Sequence, residues 1–198
     1  MSAAVPIALL RHFPTDWNGA RRLQGRVDRP LTAEARAALA RLRPPPPWDR
    51  AAPLASPLAR ARDTAAALWG GVETDDRLVE LDWGAWEGRA GADLLADPAS
   101  GYAHVEAWGW DKRPPGGESP ADAWARLAPL LAEIAAAGRP RVLVTHRGVI
   151  RVILACAWGW DFDRPEPFRI KRGALLPLTL GPDGAPRDPA APLPLAPR

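Results

Sequence analysis

The chain has 198 residues, 47% of them apolar and 25% charged, the balance of a globular protein long enough to bury a sizeable core as one domain. Its basic residues are nearly all arginine and leave a net charge of +3; they are scattered among acids without a long like-charged run, which argues against a nucleic-acid partner and leaves a mild bias towards anionic ligands. One cysteine, Cys156, excludes an internal disulfide, and without a signal-like start or an apolar run of membrane-spanning length the expectation is a cytoplasmic protein with no membrane partner.

Pro6 precedes a first predicted strand over residues 7–10, and a loop follows to about Thr32. Thr32 reads as the N-cap of an alanine-rich helix running to about Arg43. Pro44–Pro47 stop it, because proline cannot donate and clashes with the preceding turn. After a short strand over 51–55, Ser56-Pro57 reads as a cap with proline at the first helical position, opening a helix that ends at Gly70-Gly71. Residues 72–81 are expected to hold a short strand and a loop. Residues 88–118, rich in Gly, Pro and Trp, are expected to be irregular apart from a helical stretch near 90–96. Ser119-Pro120 opens another helix, closed at Gly138. A strand over 142–145 and a helix from about Gly148 to Trp158 come next. Residues 168–171 and 174–180 read as two closing strands joined at Lys171-Arg172-Gly173. The domain is taken as residues 1–180, and the Pro/Ala-rich segment 181–198 as an extended or disordered tail. The ten tryptophans are expected mostly in the core or half buried at its edge, with a pocket wall as their other use.

Strands alternating with helices predict an α/β fold, a three-layer α/β/α sandwich on a mostly parallel central sheet. Ligands of such sheets sit beyond the carboxyl ends of the strands, at a switch in strand order. Two apolar runs end abruptly there. Ile7-Ala8-Leu9-Leu10 runs into Arg11-His12, and Val142-Leu143-Val144-Thr145 into His146-Arg147. A buried strand has no use for such residues at its tip unless they meet something. Of the three histidines, these two occupy matching places, whereas His104 does not and reads as structural or exposed.

Arg60 falls in the first turn of the helix opening at Ser56, whose free N–H groups favour an anion; on spacing alone Arg62 is an equal candidate. Two histidines with two or three arginines, and no thiolate or carboxylate cluster, do not suit a cation, and neither HExxH, CxxC nor GxxxxGK[ST] occurs. Guanidinium forks match phosphoryl oxygens instead. The expected ligand is a small phosphorylated molecule, with no metal and no cofactor.

Motifs carry this further. Arg11-His12-Phe13 is followed by Thr15, Trp17 and Asn18, then by Gln24-Gly25, Asp28 and Pro30-Leu31-Thr32. Ser56, Leu58, Arg60-Ala61 and Thr64-Ala65 come next, then Leu78, Glu80, Gly84 and Trp86-Glu87-Gly88, Pro115–Ser119, and Thr145-His146-Arg147-Gly148-Val149-Ile150-Arg151. In this order the elements resemble the signatures of the histidine phosphatase, or phosphoglycerate mutase-like, superfamily, over residues 7 to about 155, and its small phosphatase branch in particular.

The resemblance implies that family's fold and chemistry. His12 would be the nucleophile, forming a phosphohistidine. Arg11, Arg60 (which the motif selects over Arg62) and His146 would hold the equatorial oxygens. Glu80 would protonate the leaving alcohol and then take a proton from water, while Glu87 fits the "WEG" element better. Thr15, Asn18 and Gln24 are placed to contact phosphate or substrate, and Arg147 to add a cation to the site, to narrow it or to point to solvent. Three residues depart from the family pattern: Phe13 and Arg147 replace glycines, and Pro14 replaces an acid. They bear on substrate preference. The leading expectation is a cofactor-independent phosphomonoesterase acting on a small metabolite, similar to alpha-ribazole phosphatases or to broad-specificity phosphatases. The alternatives are a phosphoglycerate mutase-type phosphoryl transfer, whose family members carry a longer insertion over the site, and a non-catalytic phosphate-ligand binding protein in which Phe13 blocks turnover. The oligomeric state is open, a homodimer being one option.

Overall fold

Alternation along the first strand sets the architecture. The computed structural model describes residues 4–198, and in it β1 (Val5–Arg11) lies in the middle of the sheet with Ile7 to Leu10 wholly buried. Successive side chains of a strand point to opposite faces. Accordingly Val5, Ile7 and Leu9 enter one apolar cluster, and Ala8 and Leu10 enter another. β5 (Arg141–Thr145) does the same with Leu143 against Val142 and Val144. A sheet apolar on both faces needs a helical layer on each. On one face lie α2 (Ala33–Leu39) and α3 (Ala59–Trp69); on the other lie α5 (Pro120–Ala137) and α6 (Arg147–Trp158).

The remaining elements are α1 (Asp16–Gly19), β2 (Leu42–Arg43), β3 (Ala52–Ala55), β4 (Glu73–Thr74), α4 (Gly91–Ala96), β6 (Ala174–Leu180), β7 (Pro186–Arg187), β8 (Leu193–Pro194) and β9 (Ala196–Pro197). The main sheet has the order β4-β3-β5-β1-β6-β7, with β8 also pairing β6. From β4 to β1 all pairings are parallel, and β6 then runs antiparallel to β1. The fold is therefore the expected α/β sandwich. Arg11 pairs with Thr145 in the register, and the His12 N–H donates to the Thr145 carbonyl at 2.9 Å. Both histidines thus leave neighbouring strands at one level.

Several boundaries differ from the expectation. The helix after Thr32, capped by the threonine hydroxyl as expected, ends at Leu39, and Leu42–Arg43 is a strand. The helix expected from Ser56 begins at Ala59, where the Asp28 carboxylate accepts the Ala59 N–H at 2.9 Å. The loop after β1 contains α1. Residues 168–171 form no strand, and the closing antiparallel strand is β6 alone in that region. The segment after Gly181 is extended and pinned to the body: β7 and β8 pair with β6, and β9 pairs with β2. Proline at so many positions rules out a long ladder, so it is held by short pairings and by Leu195, which is buried. Ser119 and Gly138 cap α5 as read from the sequence. Among the described residues no helix is long and apolar enough to cross a membrane.

Candidate active site

A cleft of about 570 Å³ opens at the carboxyl ends of β1 and β5. Arg11, His12, Glu80 and Gly148 line its floor, Asn18, Arg21, Arg22 and Gln24 one side, and Arg147, Arg151 and Arg172 another. Trp83, Tyr102 and Trp108 supply an aromatic wall. Trp83 and Trp108 meet edge to face at 5.6 Å, an arrangement that rigidifies the wall.

The imidazoles of His12 and His146 adjoin, with ring centroids 5.1 Å apart. Of the two, only His12 reaches the cleft. Its Nδ1 lies 2.7 Å from the Phe13 carbonyl, a pure acceptor, so Nδ1 carries the proton and Nε2 keeps its lone pair. Burial, and next the charge on Arg60, hold this imidazole well below the usual histidine range, so it is neutral near pH 7.

His146 is wholly buried beside it, at the N-cap of α6. Its Nδ1 accepts from Arg60 Nε at 3.2 Å, which leaves the ring proton on Nε2, 2.8 Å from the Ser56 hydroxyl. Burial and the Arg60 charge depress its pKa as well. The sequence expectation put His146 and Arg60 in contact with the ligand; in the structure they bond to each other beside the nucleophile's ring, and neither is among the residues that line the cleft. Arg60 is fully buried; one N–H of NH2 donates to the Gly25 carbonyl at 2.6 Å and one of NH1 to the Val27 carbonyl at 3.1 Å. The late start of α3 turns its second residue inward, beneath the loop of residues 24–28.

That loop is gripped from its other side. Glu87 Oε1 accepts the N–H groups of Gly25 (2.9 Å) and Val27 (2.7 Å). The glutamate of the "WEG" element is therefore a loop clamp. The result is a fixed position for Gln24. The Thr15 hydroxyl donates to Gln24 Oε1 at 2.8 Å, which leaves the amide nitrogen free to donate elsewhere. Thr15 is buried and outside the cleft, so it positions Gln24; the expected ligand contact falls to Gln24 itself. Asn18 lines the cleft while its Oδ1 accepts the Thr15 N–H at 3.1 Å.

Glu80 comes from the loop after β4 and is nearly buried. Oε1 accepts the N–H groups of Leu81 (3.0 Å) and Val149 (3.2 Å), and Oε2 that of Gly148 (3.1 Å). The carboxyl group thus caps the N-terminus of α6, taking up N–H groups that have no partner within the helix. One lone pair remains on Oε2 for proton exchange.

Phe13 does not block the site. Its side chain is buried in the apolar cluster with Leu10 and Leu31, and its N–H donates to the Thr64 hydroxyl at 3.1 Å. Arg147 lines the cleft and pairs with Glu166 at 3.2 Å, an acid that Arg151 also engages.

Among the described residues, three buried side-chain nitrogens have no hydrogen-bond partner: Arg11 Nε, Gln24 Nε2 and Arg172 NH2. All three belong to residues of this one cleft. Buried donors are normally satisfied, and orphaned ones gathered in one place await an acceptor. Burial, followed by the neighbouring charge of Arg172, pushes the Arg11 guanidinium down to about 9. Sequence reasoning missed Arg21, Arg22, Arg151 and Arg172 as cleft residues and left His104, which lies at the cleft, without a place. For Arg172 a signal existed: an arginine directly before a strand antiparallel to β1 must arrive at the carboxyl end of β1.

Comparison with known proteins agrees with this geometry. A glucosyl-3-phosphoglycerate phosphatase of Mycobacterium tuberculosis (strain ATCC 25618 / H37Rv) is 36% identical over 165 residues, 75% of this chain and 73% of that protein. Among solved structures, mycobacterial hydrolase 1 matches with a TM-score of 0.81 at 28% identity, over 98% of this chain and 100% of that one. A phosphoglycerate mutase from Thermus thermophilus matches with a TM-score of 0.75 at 31% identity, over 97% of this chain and 100% of that one. The family model of the histidine phosphatase superfamily (branch 1) matches residues 7–186, and the chain belongs to that superfamily as a phosphatase.

Proposed function

We propose that the chain hydrolyses the phosphomonoester of a small metabolite at this cleft, with His12 as nucleophile. The observation that carries the reading is the convergence of a neutral, proton-directed imidazole with unsatisfied buried donors in one cleft. His12 Nε2 attacks phosphorus as the ester oxygen departs, and Glu80, entering the step protonated on Oε2, gives that proton to the leaving alcohol. Water then attacks the phosphohistidine, giving its proton to Glu80 and releasing inorganic phosphate. Arg11 and Gln24 donate to the non-bridging oxygens; phosphoryl transfer draws most of its rate from such placed charge. Arg60 and His146 act from beside the nucleophile's ring, fixing the His12 environment and the Gln24 loop.

The rest of the cleft bears on the substrate. Arg21, Arg22 and Arg147 line the part of the cleft that would take a polar, anionic remainder, and the half-buried Tyr102 and Trp108 give it an aromatic side against which a sugar can pack. The relative's name includes a glycosylated phosphoglycerate, a molecule of that chemistry, and we propose a phosphorylated sugar acid or similar polyhydroxylated acid as substrate class. A single, half-buried cysteine suits a reducing, cytoplasmic setting.

The test is a release assay for inorganic phosphate over sugar phosphates, phosphoglycerates, glycosylated phosphoglycerates and alpha-ribazole phosphate, run with p-nitrophenyl phosphate as reference and with a chelator present. Steady hydrolysis abolished in His12→Ala is expected. Interconversion of 2- and 3-phosphoglycerate without net hydrolysis would establish the mutase instead, and phosphate binding without turnover the binding protein.

A further inference from the structure

Arg172 lies outside every motif described above, which end near residue 155. Its position follows from topology. Leu175 of β6 pairs with Leu10 of β1, so the turn Lys171–Gly173 reaches the carboxyl end of β1 beside His12. Gly173, at φ +70°, lets the chain turn there. Arg172 Nε donates to the His12 backbone carbonyl at 3.2 Å, anchoring the guanidinium to the nucleophile's own residue. Its NH2 is buried without a partner, as is Arg11 Nε. The acid on that side of the cleft, Glu166, is engaged by Arg147 and Arg151. Two half-buried guanidiniums lining one cleft with free donors are costly unless an anion lies between them.

We infer that Arg172 is a phosphoryl-binding residue, which with Arg11 brackets the group transferred to His12, its NH2 donating to a non-bridging oxygen. This rests on the hydrolase reading above. The charge of the phosphoryl group is shared between β1 and the turn before the antiparallel strand, so the site reads a doubly charged, tetrahedral anion from two sides. Each placed donor of this kind is worth about 10²-fold or more when its charge is developed in the transition state.

The experiment compares Arg172→Gln, Arg172→Lys and, as a control on the same turn, exposed Lys171→Gln. Turnover, competitive inhibition by inorganic phosphate and by orthovanadate, and melting temperature are measured for each. Gln can still donate to the His12 carbonyl, so it removes the charge while sparing the anchor. The expected result is a fall of about 10²-fold in kcat/KM for Arg172→Gln, weakening of phosphate and vanadate inhibition by about tenfold or more, partial recovery in Arg172→Lys, and near wild-type behaviour of Lys171→Gln. A folded Arg172→Gln with wild-type turnover and inhibition overturns the inference alone. A wild-type protein that hydrolyses no phosphomonoester overturns the hydrolase reading and this inference with it.

Discussion

The Glu80 carboxylate rests directly on Gly148: Oε2 accepts the Gly148 N–H at 3.1 Å, and a Cβ at that glycine would meet Oε1 at 2.5 Å. Glycine at the second residue of α6 is therefore what lets an acid dock on the helix N-terminus at the floor of the cleft.

Gly148→Ala should displace Glu80 without unfolding the chain. A positioned proton donor contributes about 10²–10⁴-fold, so kcat should fall by about 10²-fold, with KM changed far less. The fall should be larger for an alkyl phosphomonoester than for p-nitrophenyl phosphate, whose leaving group hardly needs the proton. Equal losses on both substrates would deny Glu80 the proton-donor role.

The Thr15–Gln24 bond predicts a coupled pair. Thr15→Val keeps the shape but strips Gln24 Oε1 of its donor, and a buried acceptor left unsatisfied costs about 1–3 kcal/mol. Stability should drop by about that much, and KM should rise because the amide no longer faces the cleft in one orientation. In a double-mutant cycle with Gln24→Ala the KM effects should be far from additive. Additive effects would show that Thr15 acts independently of the amide.

The buried imidazoles predict a pH dependence of folding. Burial and the Arg60 charge depress both His12 and His146, so each stays neutral in the folded chain as pH falls. Unfolded, each protonates near pH 6.5. The unfolded chain thus binds more protons below that pH, and stability, complete above about pH 6.5, declines beneath it by up to about 1.4 kcal/mol per pH unit for each ring. Urea titrations across this range should show the decline, and His146→Asn should make it shallower. A flat profile from about pH 7 to about pH 5 would contradict the neutral pair.

Much of this site was legible because its signal is local. An apolar run that stops at a histidine marks a strand tip, and two such tips sufficed to place His12 and His146 together. What escaped was direction. Nothing in the spacing tells that Arg60 bonds to His146 and to the loop of residues 24–28, since that depends on where α3 begins, and Ser56, read as its cap, instead meets the His146 ring. Arg172 was hidden because the direction of the strand over 174–180 was not read: only a strand antiparallel to β1 brings the turn before it to the carboxyl end of β1. The ordered end of the chain was equally opaque: Pro and Ala carry no alternation, and β8 and β9 are held by partners far away in sequence.

Phe13 sits where the family resemblance calls for glycine, and its packing decides whether it hinders turnover. The ring is 7% exposed among Ala8, Leu10 and Leu31, on the side of β1 away from the Glu80 loop, and its backbone is not among the positive-φ residues. It fills the layer between β1 and α2–α3 and fixes the nucleophile's strand tip through its N–H bond to Thr64. Restoring glycine would open a cavity there, at a cost of about 3–5 kcal/mol, the range for truncating a buried aromatic ring. Phe13→Gly should therefore melt well below the wild type and gain no activity, whereas Phe13→Leu should lose less than about 1.5 kcal/mol and keep kcat. Calorimetry and steady-state hydrolysis of p-nitrophenyl phosphate on the two variants check this. A Phe13→Gly enzyme that turns over faster than the wild type would mean that the ring obstructs the cleft after all, and that the crowding expected from the sequence pattern is real.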